Sequence, residues 1–536
     1  MGVLFALRRI NEKGTWLNSF APLKNKVFRS LWIATVISNV GHWMHEVGAA
    51  WLMTDLSESP FIVAMVQTSL TLPFFFFALP AGVLTDLLDR RKYLLVIQIG
   101  ASLAAGSLAV VGMTKGYTPA TLLLFSFLLG FATAMTAPAW QAVVPELVDK
   151  SELPNAVALN GMGINIARAI GPAAAGILVA MVGPTLVFLL NAISFIYISY
   201  ALWRWKRPVK INSLPPEHFW AAVVTGLRFI FHAPEFRAVL YRIGCFMISA
   251  SAVWALLPVV ARRELGLNAT EYGIMLGALG AGAIALASQV TLLKNKLSPS
   301  MLITLGSFTF AGVTVALGLV ESFWVLLPIM FLGGASWLSL LSTFNVGAQA
   351  TLPPWVRGRA LSVYLLIFFG GMALGSLLWG AVAGLIGTNN ALVAAATLQV
   401  LALFMTKHLP LRDGGNSELI PSHHWLVPDL GGCASLDRPI LLQKTYEVEP
   451  NRLKEFMEKA SALRSIRLRD GASFWGIYSD TERPEQVYEI FQHASASDHL
   501  RSHERFTEED RKLEQTLLDY HIGSEPPSVR HFSANT

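Results

Sequence analysis

Uninterrupted apolar runs, each close to the ~20 residues that a helix needs to cross a bilayer, recur along the first three quarters of the chain. One group lies at Leu31–Met53, Phe61–Leu84, Tyr93–Met113, Pro119–Trp140, Asn155–Leu178 and Thr185–Leu202. A second lies at Val239–Ala261, Gly273–Leu293, Met301–Val320, Phe323–Asn345, Leu361–Ile386 and Ala391–Met405. The pattern predicts about twelve membrane-spanning helices, with Pro73 and Pro80 as kinks that neighbouring helices tolerate. The polar stretch 204–237 separates the groups. Across it, Pro216–Arg242 sets Phe219, Trp220, Leu227, Phe229, Ile230 and Phe231 beside Arg228 and Arg237, as in a helix lying in the interface, or simply in a linker.

After Lys407 the pattern changes. Residues 411–438 are rich in Gly, Ser and Pro and read as a linker. Beyond them, strands are expected at Ile440–Val448, Ser473–Ser479, Gln486–Gln492 and Ser528–Phe532, with helices at Pro450–Arg464 and Ser497–Leu518. That βαββαβ order is the split-βαβ, ferredoxin-like pattern. The fold class is therefore an all-α polytopic membrane protein in two six-helix halves, plus an α+β ferredoxin-like soluble domain. In order, the expected segments are an N-terminal lead-in (1–29), the first half (30–203), a linker with the amphipathic helix (204–237), the second half (238–407), a second linker (408–438) and the soluble domain (439–536).

A short echo supports two parallel halves. Gln141-Ala142-Val143-Val144-Pro145-Glu146-Leu147-Val148 follows the fourth span, and Gln349-Ala350-Thr351-Leu352-Pro353-Pro354-Trp355-Val356 follows the tenth. The shared string Q-A-x-x-P-x-x-V falls at the same place in each half.

Composition excludes a soluble globular protein. Of the 536 residues 53% are hydrophobic and 14% charged, where soluble chains carry about 25% charged residues. The net charge of +6 points to orientation rather than nucleic acid. One set of loops holds Asp89-Arg90-Arg91-Lys92, Lys150, Arg204, Lys206, Arg207, Lys210, Lys294, Lys296, Arg357 and Arg359. The opposite set holds Lys115 and Arg262-Arg263 against Asp55, Glu58, Glu264, Glu271 and Glu321. The basic set, with both termini, is expected in the cytoplasm, and the protein in a cytoplasmic (inner) membrane. The start, MGVLFALRRINEKGTW, has too short an apolar core for a cleavable signal and reads as a cytosolic lead-in. Cys245 and Cys433 offer neither a disulfide framework nor a metal cluster. G-x-x-x-x-G-K-[ST] is absent, which argues against ATP hydrolysis. No cofactor is expected.

Charge inside the spans carries the candidate chemistry. Arg168 lies in the middle of the fifth run, on one helical face with Gly161, Asn165 and Pro172. An arginine at that depth costs about 2.5–3.5 kcal/mol on insertion scales. It faces a transport pathway, snorkels to the interface, or pairs for structure alone. The corresponding stretch of the second half, Phe369-Gly370-Gly371-Met372-Ala373-Leu374-Gly375, repeats the small residues without the charge. In the first span Asn39, His42 and Glu46 share a face. Glu46 could load and release a proton, or could belong to a structural pair facing a wet vestibule. In the tail, His499 and His503 stand at i, i+4, a spacing able to hold a metal. With Asp498, Glu504 and Arg505 beside them and no third ligand evident, a solvated polar face is expected instead.

The loop Gly82-Val83-Leu84-Thr85-Asp86-Leu87-Leu88-Asp89-Arg90-Arg91-Lys92 resembles the signature loop of the major facilitator superfamily, G-x-L-x-D-R-x-G-R-R/K. Gly82, Leu84, Asp86, Arg90 and Arg91 match, while Leu87 and Asp89 replace the arginine and second glycine. Its glycine is expected to let two helices approach closely. Ala169-Ile170-Gly171-Pro172-Ala173-Ala174-Ala175-Gly176 is similar to the fifth-helix motif of that superfamily's drug:H⁺ antiporters. Ser38-Asn39-Val40-Gly41-His42-Trp43-Met44, Ala50-Trp51-Leu52, Ala137-Pro138-Ala139-Trp140-Gln141, Asn155-Ala156-Val157-Ala158-Leu159-Asn160 and Arg357-Gly358-Arg359 resemble its DHA3-type branch. That branch is the group of enterobactin exporters and macrolide efflux proteins, or transmembrane secretion effectors. Arg469-Asp470-Gly471-Ala472, Trp475 and 499–505 resemble the soluble domain appended to some members.

The resemblance implies a twelve-helix, proton-driven exporter of a small organic molecule (siderophore, macrolide or other amphipathic compound) working by alternating access. The alternatives are a lipid or lysophospholipid flippase of the same fold, and a membrane-anchored enzyme or sensor acting through the tail. The tail shows no complete catalytic constellation, and a regulatory or homodimerising role is expected for it.

Overall fold

The structure, a computed structural model, describes residues 20–149, 151–206, 219–287, 296–353, 355–409, 411, 419–422, 424 and 438–534. Outside them lie most of the lead-in, Lys150, Arg207, Lys210, Pro216, the end of the eighth run with Lys294, Pro354, and most of the second linker with Cys433. The side chains of Asp86 and of 219–225 are likewise not described.

The first group of helices is α1 (Lys26–Leu56), α2 (Pro60–Leu87), α3 (Arg90–Thr114), α4 (Pro119–Leu147), α5 (Leu153–Val182) and α6 (Pro184–Arg204). A short helix, α7 (Phe219–His232), precedes α8 (Pro234–Val259), α9 (Ala269–Ala287), α10 (Pro299–Leu319), α11 (Phe323–Ala350), α12 (Arg357–Ile386) and α13 (Thr388–Thr406). Among the described residues, eleven helices are long and apolar enough to cross a membrane. They include every one of these except α7 and α1. The latter, at 31 residues, is long enough but carries Asn39, His42, His45 and Glu46 among its apolar positions. Proline opens α2, α4, α6, α8 and α10, where its fixed φ suits the first turn and its missing N–H costs nothing. Pro73, Pro80, Pro138, Pro145, Pro172, Pro258 and Pro328 lie inside helices that continue through them.

The amphipathic stretch does not form one helix. It ends at His232 and restarts at Pro234, so Arg237 and Arg242 belong to α8. A proline cannot donate to the preceding turn, which fixes the break there.

The chain divides into two compact units: 1–213 with 241–344 and 362–408, and 214–240 with 345–361 and 409–536. In the first, α2 packs on α4, α3 on α6, α1 on α5 and α6, α5 on α9, and α10 on α13. Glycines set the closest seams. A Cβ at Gly130 of α4 would fall 2.5 Å from the Leu70 carbonyl oxygen, whereas one at Gly82 would meet nothing within 4 Å. The close approach expected of Gly82 is therefore made by Gly130, because the partner backbone faces that position instead.

In the second unit, β1 (Ile440–Glu447), α14 (Leu453–Asp470), β2 (Ala472–Ser479), β3 (Gln486–His493), α15 (Ala496–Arg505), α16 (Glu508–Leu518) and β4 (Ser528–Ser533) build a four-stranded sheet of order β2-β3-β1-β4. All pairs are antiparallel. Alternate residues such as Tyr446, Val487 and Phe491 point inward, the first two packing with Phe456, Leu463 and Leu517. The single helix expected over Ser497–Leu518 is two helices. Phe506 turns into the core at 1% exposure, and Thr507 starts a new helix with a reciprocal cap to Asp510.

The histidines of α15 also depart from expectation. His499 is 1% exposed rather than solvated, with the rings of His493, His503 and His531 at 5.2, 4.7 and 5.2 Å. The α15 face that carries it packs inward, and Arg505 follows it at 6% exposure. Among the described residues, no group of three or more His, Cys, Asp or Glu side chains is placed to hold a metal ion.

Candidate functional site

α1 and α5 bring the intramembrane charges together. They approach closely because Gly163 and Gly171 leave room: Cβ atoms there would fall 2.7 Å from Val36 and 2.6 Å from Trp43. Trp32 donates from Nε1 to the Leu159 carbonyl at 2.9 Å, tying the same two helices. Within this seam the Arg168 guanidinium stands 5.6 Å from the Trp43 ring centroid. Glu46 interacts electrostatically with Arg168 and with the Gln67 side chain of α2. Pro172 has no N–H to give to the carbonyl four residues back, which is Arg168's own.

The other face of α5 meets α9. Cβ atoms at Gly176, Gly273 and Gly280 would fall 2.4 Å from Ala269 O, 2.6 Å from Pro172 O and 2.7 Å from Ala169 Cα. The echo in the second group is a packing echo too. On α12, Gly371 faces Met247 of α8, and Gly370 and Gly380 face Phe75 and Ala64 of α2. Thus α5 lies between α1 and α9, and α12 between α8 and α2, as two repeats require.

Aromatic rings line the charged pair. Trp254 lies 6.2 Å from Trp43 and 5.4 Å from Trp337, with Phe246 and Phe310 behind at 5.8 and 5.5 Å from Trp337. Tyr272 stacks on Trp51 at 5.5 Å and feels the Glu46 charge. Among the described residues, Arg168 Nε and Trp254 Nε1 are buried here without a hydrogen-bond partner. A small recess between Arg242, Cys245, Gln399 and Thr406 touches this cluster through Phe246.

Of the five residues expected on the pathway, Glu46 and Arg168 are brought together. Asn39, His42 and Asn165 are half-buried on the same two helices. His45, not singled out from sequence, is fully buried against Phe188 of α6 at 5.0 Å. Gln67, Trp254, Trp337 and Tyr272 also join the site unforeseen. They sit on other helices, and an aromatic in an apolar run carries no sign of which face it takes.

At the ends of the helices, arginines meet backbone. Arg90 pairs with Glu146 of the repeated string at 2.7 Å and donates to the Ala142 and Thr85 carbonyls. Arg91 donates to the Leu202 and Trp203 carbonyls at 3.0 and 2.5 Å, where a helix C-terminus favours a cation. Asp89 caps α3 through Lys92 N. Arg357 donates to the Leu352 carbonyl at 3.3 Å, and Arg359 lies against Gly226. At the opposite end, Arg262 pairs with Asp55 and stacks over Trp51 at 4.9 Å, while Arg263 donates to the Ser57 and Glu58 carbonyls. These contacts close that end between α1 and the turn after α8.

The tail carries its own buried charges. Arg467 pairs with Glu489 and Glu514 at 2.9 Å each. Burial opposes the Glu514 charge, yet Arg467, His424 and Lys444 hold its carboxyl well below the usual range. This cluster is balanced in charge and fits a structural role.

Two groups of long apolar helices seamed by glycine, with Glu46 and Arg168 near one another between α1 and α5, fit a membrane transporter. The fold is that of solved transporters at low identity. A bacterial homolog of the human lysosomal transporter Spinster, inward-facing and occupied, gives a TM-score of 0.60 at 16% identity over 72% of this chain and 97% of that one. A bacterial homologue of the iron transporter ferroportin, inward-facing, gives 0.53 at 17% over 72% and 99%.

The chain belongs to the transmembrane secretion effector family of major facilitator transporters, whose pattern it matches over residues 17–536. It is similar to the enterobactin exporter EntS of Escherichia coli (strain K12), at 26% identity over 422 residues, covering 74% of this chain and 97% of that protein. It is also similar to the staphyloferrin A transporter of Staphylococcus aureus (strain NCTC 8325 / PS 47), at 24% over 350 residues, covering 65% and 87%. It is a multi-pass transporter of the enterobactin exporter type, not an enzyme.

Proposed function

We propose that this protein exports a small, oxygen-rich, amphipathic organic molecule of the siderophore kind from the cytoplasm in exchange for protons. It would do so by alternating access across twelve helices of a cytoplasmic membrane, α1 included, with both termini inside. The observation that carries the reading is the pair of orphaned buried donors, Arg168 Nε and Trp254 Nε1, beside Trp43 and Glu46. Donors left bare in an apolar site cost free energy until an acceptor arrives. Carbonyl or carboxyl oxygens of a substrate would supply it, with its rings or chain against Trp43, Trp254 and Trp337. The printed activities of the enterobactin and staphyloferrin A relatives point the same way.

Proton exchange follows if substrate and proton compete for one group. A substrate hydroxyl or N–H would donate to the Glu46 carboxylate, and a proton on Glu46 would remove the charge that strengthens that bond and so favour release of the substrate. Gly82, Asp86, Arg90, Arg91, Arg357 and Arg359 near the loops, with Gly171, Pro172 and Gly176 in the seam, would serve the change of orientation. The tail's strand order supports the ferredoxin-like reading. Phe474, Tyr478 and Phe532 on its open side, each 42–49% exposed, support homodimerisation there.

The test is uptake of enterobactin, as probe, into inverted vesicles under an imposed ΔpH. Glu46→Gln should abolish the stimulation by ΔpH, and Arg168→Ala should abolish uptake. A Glu46→Gln protein with unchanged rate and pH dependence would end the proton role. Lack of enterobactin uptake together with uptake of staphyloferrin A would move the substrate, not the mechanism.

A further inference from the structure

The tail domain packs on two segments outside it that belong to the same compact unit, 214–240 and 345–361. α14 packs on α7, the helix in the segment joining the two groups of membrane helices. Arg228 of α7 donates from Nη1 to the Gly471 carbonyl at 3.0 Å, at the point where α14 ends. Gly471 has φ of 124°, and a Cβ there would fall 2.9 Å from Arg505 Nη1. Arg505 donates to the Asp470 carbonyl at 2.9 Å and lies 5.0 Å over the Trp355 ring. Phe229 of α7 closes the other side of Trp355, edge-on at 5.7 Å. Trp355 lies in the turn joining α11 to α12, two residues before Arg357 and within the second copy of the repeated string. In the first copy its place is taken by Leu147, which packs in an apolar cluster of the first group. At this position of the repeat the two copies therefore pack differently, Leu147 in an apolar cluster and Trp355 under Arg505. Gly226 completes the junction, since a Cβ there would lie 3.2 Å from Arg359 Cβ.

We propose that the C-terminal domain is an autoinhibitory clamp: by binding α7 and the α11–α12 turn at once, it restrains the change of orientation between the two helix groups. The physical reason is the tether. A linker between two rocking bodies must change its path as they move. Fixing α7 to the turn of the second group shortens that tether to the sequence before Phe219. Both gripping contacts are charge-assisted or cation–π and are local to one guanidinium each, so their release needs no unfolding of the domain.

The experiment uses the full chain in nanodiscs with Cys245→Ser and Cys433→Ser. Spin labels are placed at Lys92→Cys and Lys296→Cys, both exposed and one in each group. Trp355→Ala and Arg228→Ala each remove a grip from outside the tail domain. Docking is read by amide hydrogen exchange in 226–232 and 466–471, and orientation by the distance distribution between the labels. Exchange in β1–β3 checks that the domain stays folded. The expected result is faster exchange at the junction, with the minor separation gaining roughly two- to thirty-fold in population, the range of one cation–π contact. Arg228→Lys, which keeps a donor, should restore most of the wild-type distribution. Faster junction exchange with an unchanged distance distribution would overturn the clamp, since the domain would then be docked without restraining anything. Unchanged exchange in both variants would overturn the assignment of these contacts as the grip. Neither readout needs a substrate.

Discussion

The seam between α5 and α9 offers the sharpest test of how these helices are held. At Gly280 a Cβ would lie 2.7 Å from Ala169 Cα, 2.8 Å from Arg168 O and 3.1 Å from Ala169 N, against 3.4 Å or more for ordinary contact. All three obstacles are backbone, so no rotamer change relieves them. The two helices must part by about 0.7 Å, the shortfall of the closest contact, and overpacking of this kind costs about 1–3 kcal/mol. Alanine returns up to ~1 kcal/mol through helix propensity, leaving a net loss of up to about 2 kcal/mol. That is a shift of up to roughly thirty-fold against the arrangement in this structure. Gly161→Ala on α5 is the control, because a Cβ there meets nothing within 4 Å. Thermal unfolding in nanodiscs and uptake rate, measured for both variants, should show a lower midpoint and slowed transport for Gly280→Ala alone. Equal midpoints and rates in the two variants would refute the view that backbone contact at this seam sets the closed arrangement.

Three further outcomes are expected. Arg90 and Glu146, with side chains 22% and 14% exposed, should show a coupling of about 1 kcal/mol in an alanine double-mutant cycle on thermal stability, and strict additivity would remove the pair from the account. Asp55→Asn should weaken the latch to Arg262 and raise the accessibility of an Ala50→Cys thiol to an external, membrane-impermeant reagent, while unchanged labelling would show the latch idle. In the tail, burial holds His493 down to about 4 and His499 to about 2, below the ~6.5 of an unfolded chain. The unfolded chain therefore takes up protons that the fold refuses. Stability is full above pH 6.5 and falls as the pH drops toward 4, by about 1.4 kcal/mol per pH unit for each of the two. Limited proteolysis of the tail between pH 7 and 5 should show this, and a flat profile would contradict it.

Much of the architecture could be read from one dimension because the bilayer allows few solutions. Backbone groups in hydrocarbon must be satisfied within a helix, so apolar length alone pointed to the long helices, eleven of which, among the described residues, are apolar enough to cross a membrane. Short runs of strand-forming residues did the same for the tail strands, whereas the single helix expected over Ser497–Leu518 took no account of the Thr507–Asp510 cap that the structure shows. Arg168 and Glu46 stood out because charge at that depth demands a partner. Their proximity, however, depended on Gly163 and Gly171 bringing α5 onto α1, and glycines mark close approach only when a neighbour faces them. Gly82 and Gly130 show the difference. The aromatic wall of Trp43, Trp254 and Trp337, the burial of His499, and the grip of Arg228 and Arg505 on the tail junction all depend on side chains from separate elements converging. Spacing along a chain carries no record of that convergence; only the packed helices decide it.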